Sequence, residues 1–380
     1  MTTQTLCTPA SAAALDRHMV VVGAGVTGLV TAVRCVLAGH EVTLLDRGSI
    51  PDPRSTSFDQ HRVLRALDPT DAGRTRRAAG LQRHWADLES VLCGSGVSSG
   101  FLRTVGVLTS CHEDLLRKAA ATAVQAGLAF RTVEPDEFPH FGFADGTRGI
   151  LEADAGVLLA DQALIAAAQW LAAHPRAHLH PRTEVTEVDP VTGFVSGPDG
   201  VVAQGDFTLV ACGPWSGDLV GVPTEVHRQT MAYLRPPAEL RTWWHSAPAA
   251  GRLGHDGRAW LVPPVGSASL KVSTDAVRRD IETIALDPTE DESSWCKQIL
   301  GSGVIRDLAD YDVTAVRRCH YATSIHSDAL GLVRLGPFAW ARVASGPDGF
   351  RTAPLVAEQV LHALQSLQPL SPPRIGRNTT

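Results

Sequence analysis

Three valines, Val20 to Val22, run straight into Gly23-Ala24-Gly25-Val26-Thr27-Gly28 and then into a segment with helical spacing. Gly23 permits a tight turn and Gly25 lets a pyrophosphate approach the backbone. Gly28 lets the following helix pack close to the strand, so that its N-terminal amides face the phosphates. Eighteen residues past Gly28, a second apolar strand from Glu41 to Leu45 ends on Asp46, where an acid meets a ribose hydroxyl. Strand, helix, second strand and acid fall in register, which a bare glycine-rich turn would not produce. The reading is a Rossmann-like dinucleotide grip in an α/β chain. Its contacts are Gly23, Gly25, Val26, Thr27, Gly28 and Asp46, with Arg47 beside them.

A chain of 380 residues can bury a large core, and two domains suit it better than one. Its net charge of -6 offers no basic footprint for nucleic acid or an anionic membrane, so a small-molecule partner is expected. The seven cysteines are scattered without a CxxC pair, which points away from a disulfide framework or a zinc site and toward a reduced, cytoplasmic setting. No run reaches the length of a membrane span, and Met1 to Arg17 lacks the basic and apolar blocks of a leader.

After Asp46 comes a Pro/Ser-rich loop, Ile50 to Asp59, then Arg62-Val63-Leu64-Arg65 and a helix expected over Asp71–Val91. Phe101–Ser110 reads as a strand, and Glu113–Ala126 as a helix stopped by Gly127. An alanine-rich helix is expected over Asp161–Ala173, with strands at His178–His180 and Glu184–Val188. Phe207 to Trp215 reads as a buried strand of the same sheet as Val20–Val22, which makes the nucleotide domain discontinuous. Residues 222–316 turn to strands broken by Pro-rich and acidic loops, among them Asp287 to Glu292, as in an inserted antiparallel sheet. The last helix is expected over Pro354–Leu367. His178 and His180 share a strand face without a third ligand, so no metal site is expected. Trp243-Trp244-His245 reads either as a packed loop or as a lid over a pocket.

Lysine usage isolates one residue. The chain has only Lys118, Lys271 and Lys297, and Lys271 sits in an apolar strand. Either it snorkels from a strand edge or its compact charge has a task.

Taken in order from Met19 to Leu367, the chain resembles FAD-dependent amine oxidases of the monomeric sarcosine oxidase and N-methyltryptophan oxidase type, within the D-amino-acid oxidase superfamily. The resemblance rests on the dinucleotide grip, Arg62-Val63-Leu64-Arg65, Leu270-Lys271, Arg318-Cys319-His320-Tyr321 and Gly346-Pro347-Asp348-Gly349-Phe350-Arg351. Phe207 to Trp215 resembles the strand that returns to the FAD domain.

The resemblance implies a discontinuous Rossmann-like FAD domain, at 18–92, 150–220 and 317–367, and an inserted antiparallel-sheet substrate domain at 93–149 and 221–316. Flexible termini at 1–17 and 368–380 complete the expected division. Gly213, Trp215, Gly346, Gly349, Phe350 and Arg351 join the FAD contacts. Cys319 matches the cysteine joined through sulfur to the 8α carbon of FAD, with Arg317 and Arg318 placed to favour its thiolate; the alternative is a buried, inert thiol. Lys271 matches the lysine near flavin N5 that favours electron transfer to oxygen, and Arg62 a charge beside the flavin ring. Arg65 and Arg351 match the pair of cations that holds the substrate carboxylate, arginine standing at 351 where lysine is usual.

At pocket positions, His61 replaces a usual threonine, Trp260 a tyrosine and Asp275 a histidine, while Tyr321 keeps its type. A substrate larger than sarcosine, or a cyclic one, is expected against Trp260 or Tyr321, with His61 and Asp275 tuning amine deprotonation. The expected enzyme is a monomer that oxidises a carboxylate-bearing secondary amine or cyclic imino acid to its imine and reduces molecular oxygen to hydrogen peroxide. A same-fold dehydrogenase with another acceptor, or a flavin-binding protein without catalysis, is the alternative.

Overall fold

The computed structural model describes residues 16–94, 100–284 and 292–367, so most of the acidic loop at 287–292 and nearly all of both expected flexible termini lie outside the described residues. Asp16 and Arg17 are described and tied down: Asp16 pairs with Arg176 at 2.6 Å, and Arg17 donates to the Leu367 carbonyl at 2.7 Å.

Two sheets organise the chain. The first has six strands in the order Leu332–Arg334, Ala339–Arg342, Phe207–Val210, His18–Val22, Glu41–Asp46 and Ala177–Pro181. Its pairings are parallel except between Leu332–Arg334 and Ala339–Arg342. Its strand His18–Val22 is buried from Met19 onward, as expected of a parallel sheet covered on both faces. The helix Val26–Leu37 follows directly. Leu29 and Val33 are completely buried in a core shared with the helices Ala160–Ala172 and Ala353–Gln365. Each such side chain contributes roughly 1.5–3 kcal/mol by leaving water.

The second sheet has nine strands, mostly antiparallel, with one parallel pair between Ala249–Leu253 and Val107–His112. Asp312–Thr323 pairs with Glu225–Arg235 along almost its whole length. Thr147–Glu152 also belongs to this sheet. Sheet membership therefore cuts the chain at other points than the expected divisions at 149/150 and 316/317.

Two expected elements are split, each for a backbone reason. The helix expected over Asp71–Val91 is two, Ala72–Ala78 and Leu81–Cys93, parted at Gly80; the first begins where the Asp71 carboxylate accepts from the Arg74 amide at 2.9 Å. The strand expected over Phe101–Ser110 breaks at Gly106, whose φ of +76° is left-handed. Its halves, Leu102–Thr104 and Val107–His112, serve different sheets. Of Glu184–Val188 only Glu187–Val188 pairs as strand.

Candidate active site

Residues of both sheets line a cavity of about 870 Å³, among them the glycine turn and Trp260 and Tyr321. That volume suits a pocket for a large organic ligand.

The cofactor end is set by close packing. Gly23 has φ +102°, and a Cβ on it would lie 2.5 Å from the Ala211 carbonyl oxygen. A Cβ on Gly28 would lie 1.9 Å from the Gly23 oxygen, so Gly28 faces the turn rather than the cavity. Gly25 gives the helix Val26–Leu37 no side-chain N-cap and its first turn holds no acid; Ser57 Oγ accepts from the Val26 amide at 3.0 Å, and the helix end turns its partial positive charge toward the cavity. The Asp46 carboxylate accepts from Ala24 N and Gly48 N, each at 2.7 Å. It thereby orients the turn and retains lone pairs beyond those two bonds. Arg47 lies over the Trp215 ring at 4.3 Å, and Arg47, Trp215, Gly213, Gly346, Gly349 and Phe350 all line the cavity. Phe350 stacks on Trp85 at 5.5 Å, whose indole donates to the Arg351 carbonyl at 3.0 Å and fixes this loop.

Lys271 and Arg62, on the cavity wall, belong to a buried charged hub whose centre, Asp59, the sequence does not single out. Lys271, 2% exposed, donates to Asp59 Oδ2 at 2.9 Å and to the His61 carbonyl at 2.5 Å. Arg62 and the Tyr233 hydroxyl bond to the same Asp59 carboxylate, and Arg62 also reaches the Thr56 carbonyl at 2.6 Å. Burial pushes the Asp59 carboxyl up, but Arg62, then Lys271 and the Tyr233 hydroxyl outweigh it and hold it well below its usual range. Burial lowers Lys271 to about 8, opposed by Asp59.

Cys319 lines the cavity beside this hub. Burial pushes its thiol up, opposed by Arg62 first and by Lys271. The expected helpers Arg317 and Arg318 are not among the charges that act on it. Arg317 turns to the Tyr233 ring at 5.9 Å, and Arg318, adjacent on the strand, points to the opposite face. Thr56 ties the Pro/Ser-rich loop to the residue after Cys319, donating to the His320 carbonyl at 2.7 Å.

Arg65 and Arg351 are brought together on the cavity wall. Arg351 donates to the Arg65 carbonyl at 3.0 Å and pairs with Asp348 at 2.7 Å, while its buried Nε has no partner. Arg65 donates to the Leu67 carbonyl at 2.6 Å. Burial first, then the nearby Arg351 charge, lowers the Arg65 guanidinium. Glu152 accepts from the amides of Ala66 and Leu67, both at 2.9 Å, and so fixes the segment behind Arg65. Across the cavity, Asp275 bonds to Trp260 and is pushed up by burial; Tyr321 bonds to Arg278 and is likewise raised by burial.

His61 does not belong to this wall. It is completely buried, and its Nε2 lies 3.0 Å from the Pro263 carbonyl. Burial, then the Lys271 charge, lowers it to about 3, and the ring expected to tune the amine with Asp275 lies outside the residues that line the cavity. Trp244 is core rather than lid, donating to the Tyr311 hydroxyl at 2.8 Å. His178 lies exposed on an edge strand, 3.0 Å from Glu41. Among the described residues no group of His, Cys, Asp or Glu could hold a metal, and no helix is long and apolar enough to cross a membrane.

Arg342 is a second residue that sequence reasoning missed. Its guanidinium, buried in the cavity wall, donates to Thr27 Oγ1 at 2.7 Å, the Gly349 carbonyl at 3.0 Å and Thr352 Oγ1 at 2.8 Å. It thus joins the glycine turn to the loop before the last helix. Its only signal in the sequence is a charge closing the apolar strand Ala339–Arg342.

These residues fit a flavin dinucleotide. Gly23 to Thr27 and the helix N-terminus would hold the pyrophosphate, Asp46 and Arg47 the adenosine side, and Cys319, Arg62, Lys271 and Gly346 to Arg351 the ring end.

Residues 18–369 match the DAO family, described as FAD dependent oxidoreductase. Peroxisomal sarcosine oxidase of Mus musculus is 25% identical over 225 residues, which are 57% of this chain and 56% of that protein, so the chain matches little more than half of that relative's length. A variant of NikD, an unusual amino acid oxidase essential for nikkomycin biosynthesis, has a TM-score of 0.72 at 17% identity, covering 92% of this chain and 93% of its own. L-proline dehydrogenase from P. horikoshii gives 0.71 at 17% identity, covering 91% and 92%. At these identities the structures speak for the fold, and the match over 18–369 for the family. The protein belongs to the DAO family of FAD-dependent oxidoreductases.

Proposed function

We propose that this enzyme oxidises a secondary amine or cyclic imino acid bearing a carboxylate to the imine, with oxygen reduced to hydrogen peroxide. The observation that carries the reading is the placement of Arg65 and Arg351 in one cavity with the dinucleotide turn, Cys319 and Lys271. FAD, when bound, supplies the acceptor for the electron pair that leaves with the C–H hydrogen of the substrate. Arg65 and Arg351 hold the carboxylate and so fix which C–H bond faces that acceptor. The substrate nitrogen enters neutral, and its lone pair forms the C=N bond. Trp260 and Tyr321 give an apolar face against which a ring or larger side chain rests. Lys271 places an ammonium in a water-poor site, where it stabilises negative charge developing on oxygen.

Cys319 is the residue proposed to carry the flavin covalently. Arg62 and Lys271 oppose the burial that keeps its thiol protonated. A cytoplasmic monomer remains the expected form. A relative named for sarcosine oxidation and a fold neighbour named as an amino acid oxidase support amine chemistry. The test is oxygen uptake with peroxide measured in the same vessel, using N-methyl and cyclic amino acids. One peroxide per oxygen consumed supports the oxidase. Amine-driven reduction of an artificial electron acceptor without oxygen uptake would make the enzyme a dehydrogenase.

A further inference from the structure

Lys271 reaches the cavity already bound to a carboxylate, and that carboxylate is shared. Asp59 is 4% exposed and takes bonds from Lys271, Arg62 and Tyr233, drawn from three separate segments of the chain. Tyr233 pairs with Lys271 across one neighbouring strand and Val262 across the other. His61 and Arg62 face it from the loop side, and the Cys319 thiol from the strand Asp312–Thr323. Asp59 is the fixed negative charge among these groups, set against the cations Arg62 and Lys271. A buried ammonium without a counter-ion sheds its proton, because the charged form bears the desolvation cost.

We propose that Asp59 is the positioning residue that keeps Lys271 protonated and aimed into the cavity. This rests on the reading that Lys271 serves reoxidation by oxygen, and it adds a second group on which that step depends. The lowering of Lys271 to about 8 despite its partner indicates how little margin the ammonium has.

The scarcity of lysine makes the state of Lys271 directly observable. Holoenzyme grown on lysine labelled with ¹³C at Cε gives three signals, from Lys118, Lys271 and Lys297, of which Lys271→Met identifies one. In the unmodified enzyme that signal should report a charged lysine at pH 7. Asp59→Asn should move its midpoint down by about one pH unit or more, and Asp59→Glu should restore most of the shift. Tyr233→Phe, which strips one hydroxyl from Asp59 and leaves the carboxylate, should not lower the midpoint; it keeps the test open where Asp59→Asn fails to fold. In stopped flow, the pH profile of reoxidation should follow the same midpoint. A midpoint unmoved by Asp59→Asn, lowered by Tyr233→Phe, or lying below pH 6 in the unmodified enzyme overturns the proposal. A midpoint that moves while the reoxidation profile stays put supports the pairing and removes Lys271 from the oxygen step.

Discussion

The Arg351 guanidinium donates to the Arg65 carbonyl at 3.0 Å, so these two cations of the cavity wall are tied through the main chain of one to the side chain of the other. Bidentate guanidinium groups held this way suit a planar carboxylate. Arg65→Met or Arg351→Met should weaken binding of an amino acid by roughly 2 to 5 kcal/mol, as for a buried charge left unpaired. The corresponding amide should lose far less. Titration of the flavin spectrum with both ligands checks this, and equal losses would remove the carboxylate from the account.

Covalent attachment is tested without turnover. Acid-precipitated protein should stay yellow, and Cys319→Ser should release its flavin on the same treatment. A colourless pellet from the unmodified protein would show that Cys319 is the inert alternative.

Gly28→Ala should be severe, because the added Cβ would lie 1.9 Å from the backbone oxygen of Gly23, which has no flexible side chain to yield. Overpacking of this kind costs about 1–3 kcal/mol or more. Flavin content and thermal melting should both fall, and a variant that kept its full flavin would show that the turn can yield.

His61 predicts an acid limb in stability. Its folded value near 3 lies below the ordinary 6.5, so the unfolded chain takes up a proton that the folded one refuses. Stability is therefore intact above pH 6.5 and declines as pH falls toward 3, at about 1.4 kcal/mol per pH unit at most. Asp59, held low, adds its own loss only below 3.8. His61→Gln keeps a donor for the Pro263 carbonyl and should flatten the decline between pH 6 and about 4 in urea unfolding. A limb of unchanged slope would mean that other groups titrate there.

Lys271→Met separates the halves of the cycle. Reoxidation by oxygen should slow on the order of 10² or more, while anaerobic reduction by substrate changes much less. Unchanged reoxidation would make the lysine structural.

The dinucleotide turn was legible because its constraints are local: Gly23, Gly25, Gly28 and Asp46 act through backbone geometry within one short stretch. That Arg65, Arg351 and Cys319 share one cavity wall follows in the sequence only from family likeness, since nothing within their own segments says what they face. Asp59 was not read at all. Its partner Lys271 is 212 positions away, and the pairing of Leu270–Thr274 with Glu225–Arg235 and Ala259–Val262 brings that side chain to the loop. The substitution of histidine at 61 looked like altered pocket chemistry, yet the side chain turns from the cavity to Pro263. An alternation along a strand can be read from sequence, but the direction of a side chain in a short irregular segment follows from its tertiary neighbours.

The central claim, that a carboxylate-bearing secondary amine is the reductant, is tested most directly by mixing the holoenzyme with N-methyl and cyclic amino acids in the absence of oxygen and following the flavin absorbance. At least one such acid should bleach the flavin fully, and its amide should do so far more slowly. A flavin that stays oxidised with every amine in the panel would contradict the account.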